Sequence, residues 1–377
     1  MIIKSDSYNT KESIVYALKL LYIYIELFKI DLLDISLEEA RRFKRFLHGI
    51  AEGKGGVTFQ LNTSRSDKVV DALLGVYRGF YEYLGRIDSP FHLKRMRGDK
   101  AEYVLQSNKR YTNKRIPRYI KPYQFNQIIR VIRKDYTVRE EVIVRLMFEC
   151  GMRIGEVLGL TIEDIDVDRI HELADDQVGQ IIIRNRLTDK SFQCAKTCEK
   201  VKSRRTYKSK DYLTEGSGFQ KVSPSVTLLK KMAEYIDSCF EKFTRITEEN
   251  YLEYSKADQV TGGEYLENGN FYIFLNKDGK PLGISGWNKV VREIFLKAGL
   301  ELDVGSRKHN LNHRFRHGYA MYLKVYEGYG SLDMQRALRH DKIESVEIYF
   351  RPDEEDEYQA SQMITKSMYE LCPLLKE

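Results

Sequence analysis

The chain has 377 residues, with 62 Lys and Arg against 55 Asp and Glu, giving a formal net charge of +7 with neutral histidines and a pI of about 8.9. A composition 42% hydrophobic and 31% charged excludes a low-complexity or membrane-embedded chain, and the length accommodates two or three domains that can each bury a core. The opening Met1-Ile2-Ile3-Lys4-Ser5-Asp6-Ser7-Tyr8 lacks a charged segment followed by an apolar run, so no signal peptide and a cytoplasmic location are expected. The five cysteines (Cys150, Cys194, Cys198, Cys239, Cys372) are odd in number and scattered, as expected for reduced thiols. Cys194 and Cys198 have no second Cys or His pair nearby to complete a zinc site, and no metal is expected.

In chain order, Thr10 to Ile30 reads as one helix, and Ser36-Leu37-Glu38-Glu39 has the form of a capping box that starts a second. A third runs from Ser66 to Tyr83, with Val69, Val70, Leu73, Val76, Tyr77 and Phe80 on one side. These helices predict a small bundle over residues 1–93. Composition then shifts. Lys94, Arg95, Arg97, Lys100, Lys109, Arg110, Lys114, Arg115 and Arg118 face only Asp99 and Glu102, which reads as a basic interdomain linker over 94–115. Such a run is either a solvated surface or a strap across a phosphate backbone, where each cation releases a counterion.

A second domain over 116–377 begins with helices near Pro122 to Lys134 and Arg139 to Glu149, the turn Cys150-Gly151-Met152, and a further helix ending near Gly159. Gln180 to Arg184 is β-branched and predicts a strand, with further strands expected around Ser203 to Tyr207 and at Phe271 to Leu275. The acidic span 240–270 reads as an insertion. From Ser285 the pattern is helical almost to the end. The fold class expected is mainly α with a small β-sheet.

Four local patterns stand in a particular order. Gly151-Met152-Arg153-Ile154-Gly155-Glu156-Val157-Leu158-Gly159-Leu160 puts an Arg at a helix start and a Glu one turn on, which by itself reads as a salt bridge. His313-Arg314-Phe315-Arg316-His317 places His313 and Arg316 on one helical face, within reach of one oxyanion. Leu338-Arg339-His340 follows, and Tyr349 comes nine residues after His340. With 26 tyrosines in the chain, only that spacing singles Tyr349 out.

Together, Arg153, His313-x-x-Arg316, His340 and Tyr349 resemble the catalytic signature of the tyrosine recombinase (phage integrase-like) family. The likeness covers about residues 116 to 352 and includes Asp164-Ile165-Asp166 and Lys297-Ala298-Gly299-Leu300; Phe315 stands where Leu is commoner. The resemblance implies a core-binding bundle joined to a catalytic domain, and a site-specific DNA recombinase of the integrase or transposase type. Tyr349 would attack a DNA phosphodiester, leaving a 3′-phosphotyrosyl link and a free 5′-hydroxyl, and paired exchanges in a homo-tetramer would pass through a Holliday junction. Because the link conserves the bond energy, religation needs no ATP, and the resemblance implies no metal or other cofactor.

Physical chemistry agrees with the resemblance. Guanidinium groups at Arg153 and Arg316 bind phosphate oxygens bidentately and stay charged, and His340 adds a donor. A phenol with a pKa near 10 needs a base or a cationic field, and His313 is the candidate proton acceptor. Glu156 matches the family's acidic residue that steadies the site. The leaving oxygen needs an acid, which in the family is a lysine in a β-hairpin turn. Lys196 fits best, in Lys196-Thr197 followed by Ser203-x-Arg205, with Lys200 and Lys202 as alternatives. Lys200, Lys202, Arg204 and Arg205 supply backbone contacts in either case. After Tyr349, an acid-rich helix either closes the chain's own core or, as in the family, docks into a neighbouring protomer. Two rival readings are a type IB-like topoisomerase and a catalytically idle DNA-binding regulator. An accessory arm-binding domain is not expected ahead of the first helix, and a mobile-element integrase or transposase is the favoured assignment.

Overall fold

Helix α1 spans Tyr8–Phe28, and α2 spans Leu37–Leu47 behind the capping box read from the sequence. The Ser36 Oγ accepts the Glu39 N–H at 3.2 Å and the Glu39 carboxylate accepts the Ser36 N–H at 2.8 Å, so two otherwise orphaned donors are satisfied. A short antiparallel pair, β1 (Ile50–Glu52) and β2 (Thr58–Gln60), precedes α3 (Asp67–Tyr83). The structure is a computed structural model and describes residues 8–52, 58–107, 118–165, 174, 177–187, 189–190, 192–239, 271–303, 310–350 and 354–376. Two compact units are present, Met1–Asn113 and Lys114–Glu377.

The first unit is built on aromatic packing. Phe43, Tyr77, Tyr81 and Phe91 are fully buried among Leu21, Leu47 and Leu74. The apolar stripe expected on the third helix is therefore a core face, except for Val69, which is exposed. The segment read as a basic linker from residue 94 is folded for its first part. Strands β3 (Lys94–Arg97) and β4 (Lys100–Tyr103) form a hairpin whose turn uses Gly98 at φ +61°, a backbone region open to glycine at little cost. Tyr103 lies between Arg78 of α3 and Lys94, at 4.1 and 5.1 Å from its ring centre, and Leu105 is buried in the core. The Ser107 N–H donates to Asp71. Residues 94–107 thus belong to the first unit. Their charge density hides the strand pattern, because the apolar groups that anchor them here, Tyr103 and Leu105, are few.

In the second unit, α4 (Pro122–Asp135) and α5 (Val138–Glu149) lead through the Cys150-Gly151 turn to the single-turn α6 (Ile154–Leu158). Strand β5 (Ile181–Arg184) buries Ile181 and Ile183 and pairs antiparallel with β6 (Phe219–Val222), in register Ile181↔Val222 to Arg184↔Phe219. The strand expected around Ser203 to Tyr207 is instead a helical turn, α7 (Arg204–Tyr207), because the Ser203 hydroxyl caps it at the Thr206 N–H. Phe271 to Leu275 makes only isolated bridges, Tyr272 to Thr161 and Leu275 to Pro281. Helix α8 covers 226–239; α9 (Ile284–Lys297), α10 (Leu311–Val325) and α11 (Ser331–Ala337) follow. Helix α10 packs closely on α5: a Cβ at Gly318 would lie 2.5 Å from the Ile120 carbonyl oxygen and 2.7 Å from the Phe148 ring. A satellite cluster of Ala320, Met321, Leu323, Met334, Leu338, Val346 and Tyr349 closes the unit under α10 and α11. Helix α12 (Glu354–Leu371) ends the chain with a 3₁₀ turn at Pro373–Lys376. The 240–270 span lies outside the described residues. Among those described, no helix is long and apolar enough to cross a membrane.

Candidate active site

Arg153 is the N-cap of α6, with extended backbone (φ −78°, ψ 148°). Its N–H and its guanidinium both donate to Glu156, at 2.9 and 2.7 Å, so the i, i+3 pair read from the sequence is a capping box and an ion pair together. Glu156 is fully buried, which would raise its pKa, but Arg339, Arg316 and Arg153 around it hold it down to about 2. One carboxylate thus neutralises part of a three-guanidinium cluster, as a buried charge must.

Arg316 projects from the centre of α10 and is 2% exposed. Its guanidinium donates to the carbonyls of Gly151 and Leu338, so one side chain ties the first arginine turn to the segment before His340. Burial lowers its pKa and Glu156 opposes this; the guanidinium keeps its charge at neutral pH. Arg339, which sequence reasoning left without a role, completes the cluster. It donates to Glu156 at 2.9 Å and to the carbonyls of Cys150 and Gly151 at 3.3 and 3.4 Å. Its backbone sits at φ +52°, a region costly for a side-chain-bearing residue. That turn directs Arg339 to Glu156, and His340 next to it still lies within the field of the same cluster. Burial first, then Arg316, Arg153 and Arg339, push the His340 pKa down to about 4, so its imidazole is neutral at physiological pH.

Tyr349 lies in a 3₁₀ turn (Glu347–Phe350) and is 3% exposed. Burial raises its pKa, while Arg316 and Arg153 draw it back. The imidazole hydrogen-bonded to its hydroxyl belongs to His317, with Nδ1 to Oη 3.0 Å. His313, read as the candidate acceptor, is one helical turn away with ring centres 6.1 Å apart, and solvent reaches it. Desolvation and the charges of Arg316, Arg153 and Lys196 lower its pKa. His317 is pushed down to about 3 by burial and by His313, Arg316 and His340, so it faces Tyr349 as a neutral ring. The signal for His317 was present: it is four residues after His313 on the same helical face and adjacent to Arg316.

Lys196 is exposed on a turn between Ala195 and Cys198, and its charge is felt at His313, which brings it to the cluster. That turn lies early in the long connection between β5 and β6 and not at the tip of a tight hairpin. Lys200, Lys202 and Arg205 are exposed beyond it, and the side chain of Arg204 lies outside the described residues. Lys94 and Arg95 are exposed on β3; the Arg97 side chain, and all of Lys109, Arg110, Lys114 and Arg115, lie outside the described residues.

Residues 118–356 match the model of the phage integrase family. The chain belongs to the phage integrase family. As a tyrosine recombinase it is a site-specific DNA strand-transfer enzyme. Transposase A from transposon Tn554 of Staphylococcus aureus is 25% identical over 353 residues, covering 90% of this chain and 81% of that protein. Tyrosine recombinase XerC of Lactobacillus delbrueckii subsp. bulgaricus is 26% identical over 252 residues, covering 66% and 63%. Among solved structures, the Tn1549 transposon integrase in complex with transposon right end DNA matches with TM-score 0.55 at 15% identity, covering 96% of this chain and 95% of that one. XerH bound to palindromic difH substrate in a post-cleavage complex matches with TM-score 0.53 at 16% identity, covering 94% and 79%. The fold class expected from the sequence, mainly α with a small β-sheet, is the one observed, with the described strands in separate two-stranded sheets.

Proposed function

We propose that this recombinase moves a mobile element by cutting and rejoining double-stranded DNA through Tyr349. The observation that carries the site assignment is the Tyr349 hydroxyl against His317 and within the field of Arg316 and Arg153. In the cleavage step Tyr349 Oη forms a bond to phosphorus, its proton passes to His317 Nδ1, and the bond from phosphorus to the 5′-oxygen breaks. Lys196 supplies the proton that the 5′-oxygen gains. Arg153, Arg316, His313 and His340 donate to the non-bridging oxygens, where charge is spread in the transition state. Glu156 holds Arg153 and Arg339 in place. The reverse sequence rejoins a strand with no external energy.

Transposition is favoured over other outcomes of recombination by similarity to transposase A along 90% of the chain. Lys94, Arg95, Arg97, Lys109, Arg110, Lys114 and Arg115, with Lys200, Lys202, Arg204 and Arg205, are assigned to the DNA backbone. The bundle of residues 1–93 is assigned as the core-binding domain. A homo-tetramer on DNA is proposed, with α12 exchanged between protomers. The exposure of Tyr358, Met368, Leu371, Leu374 and Leu375 supports that exchange. The enzyme is assigned to the cytoplasm.

Covalent trapping tests the reading. Wild-type and Tyr349→Phe proteins are incubated in EDTA with labelled, nicked duplexes from the DNA flanking the gene. An SDS-resistant adduct formed by the wild type alone is the expected result and maps the cleavage site. Tight binding without any adduct across a selected pool of high-affinity sites would replace the recombinase reading with a DNA-binding regulator, and relaxation of plasmids lacking that site would favour a topoisomerase.

A further inference from the structure

The turn that carries Lys196 is wrapped around a single buried amide. Asn185 follows β5 directly and is 4% exposed. Its Oδ1 accepts the Ala195 N–H at 2.8 Å, and its Nδ2 lies 2.9, 3.0 and 2.9 Å from the carbonyls of Ala195, Cys198 and Glu199. An amide is the side chain that offers an acceptor and two donors at once, and here all of that capacity is spent on one five-residue turn. Further ties hold the same turn to the small sheet. The Thr197 hydroxyl donates to Gln220 of β6 at 2.9 Å, and the Glu199 N–H donates to the Ser217 carbonyl at 2.7 Å. Ala195 and Cys198 are buried in the core while Lys196 between them is exposed, so the turn is anchored at both feet with the lysine at its crest.

We propose that Asn185 is a positioning residue for proton delivery: it fixes the 195–199 turn so that the Lys196 ammonium stands at the 5′-oxygen leaving group. This rests on the assignment of Lys196 above. The chemistry explains why a clamp is needed. As the bond from phosphorus to the 5′-oxygen breaks, its electron pair stays on oxygen and one proton must move from Lys196, leaving a neutral amine. A flexible lysine on an exposed turn meets that oxygen only if the backbone beneath it is fixed, and misplacement by about 1 Å costs on the order of 10²-fold in rate. Removing the amide also takes away the Asn185 partner of the Cys198 and Glu199 carbonyls and of the Ala195 N–H, while the Ala195 carbonyl keeps the Cys198 N–H.

The test separates a positioning role from a merely structural one by changing the leaving group. Sulfur departs without protonation, so a duplex with a 5′-bridging phosphorothiolate at the trapped cleavage site needs no acid. Single-turnover cleavage is measured for wild-type, Lys196→Ala, Asn185→Ala and Asn185→Asp proteins on oxygen and sulfur substrates, with DNA affinity and melting temperature as controls. On the oxygen substrate both Lys196→Ala and Asn185→Ala should lose on the order of 10²-fold, and on the sulfur substrate both should return to within about threefold of wild type. Asn185→Asp keeps the volume and the acceptor but loses both donors, and should follow Asn185→Ala; it serves if the alanine variant does not fold. Rescue of Lys196→Ala but not of the Asn185 variants, or wild-type cleavage of the oxygen substrate by them, overturns the positioning role while sparing Lys196 as the acid. Failure of sulfur to rescue Lys196→Ala overturns both.

Discussion

Two sets of buried tyrosines in this molecule have opposite fates. In the first unit, Tyr77 and Tyr81 donate to the carbonyls of Ala17 and Leu32, at 3.0 and 2.7 Å, inside an aromatic core. Burial pushes both phenols upward, Tyr81 to about 12, and their nearest polar partners are carbonyl oxygens that can accept a hydrogen bond but not a proton. Tyr349 in the second unit is buried as deeply, yet its hydroxyl meets a neutral imidazole and lies in the field of Arg316 and Arg153. Burial raises all three phenols, and Arg65 and Arg86 draw Tyr77 and Tyr81 back as Arg316 and Arg153 draw back Tyr349, so what sets the proposed nucleophile apart is a hydroxyl partner that can take a proton.

The largest expected contrast is between two single-oxygen deletions. Tyr349→Phe should abolish the SDS-resistant DNA adduct, whereas Tyr77→Phe should leave adduct formation intact and cost about 1 kcal/mol of stability by urea unfolding. Equal loss of adduct in both would mean that the assay reads folding and not chemistry. Next comes the charge balance that only the second unit contains. Glu156→Gln leaves three guanidiniums without their shared carboxylate and should destabilise that unit by about 3–5 kcal/mol. In the wild type, the Glu156 pKa of about 2 lies below its ordinary 4.5. Its contribution is therefore complete above that ordinary value and is lost as pH falls towards 2.

His317→Phe keeps an apolar ring beside Tyr349 but removes the proposed proton acceptor. Cleavage should fall by on the order of 10²-fold or more, with DNA affinity unchanged within about twofold. A loss confined to affinity would return the acceptor role to His313. The same histidines give an acid signature. His317 and His340 take protons near 6.5 when unfolded but only at about 3 and about 4 when folded, so the unfolded chain binds more protons between these values. Stability should hold above pH 6.5 and decline as pH falls from there, and His317→Phe should flatten that slope in thermal melts across the window.

Arg339→Ala tests the least visible member of the cluster. Loss of its contacts to Glu156 and two carbonyls should cost about 1.5–3 kcal/mol, and Arg339→Gly, which relaxes the φ +52° backbone, should cost less by urea unfolding. The smallest effect belongs to the first unit. Ser36→Ala removes one N-cap bond and should cost about 1 kcal/mol, with adduct formation unaltered.

Much of this was legible in the chain, because the relevant patterns are short. Helical periodicity, the Ser36 to Glu39 capping box, the Arg153 to Glu156 spacing and the ordered boxes ending at Tyr349 each lie within a few residues, where local geometry alone decides which side chains share a face. These patterns determined the helical class and the family, and named the candidate site residues that the proposed mechanism uses. What tertiary structure decided involves partners far apart in sequence. Strand β5 finds β6 across a long connection in which the strand expected at Ser203 to Tyr207 is a helical turn. Lys94 to Tyr103 folds as a hairpin because Tyr103 and Leu105 find α3 and its core. His317 becomes the histidine of Tyr349, Arg339 turns inward through a left-handed backbone, and Asn185 clamps the lysine turn. Each of these depends on where a distant backbone group comes to rest, and buried polar atoms acquire their partners only when the packed interior has excluded water.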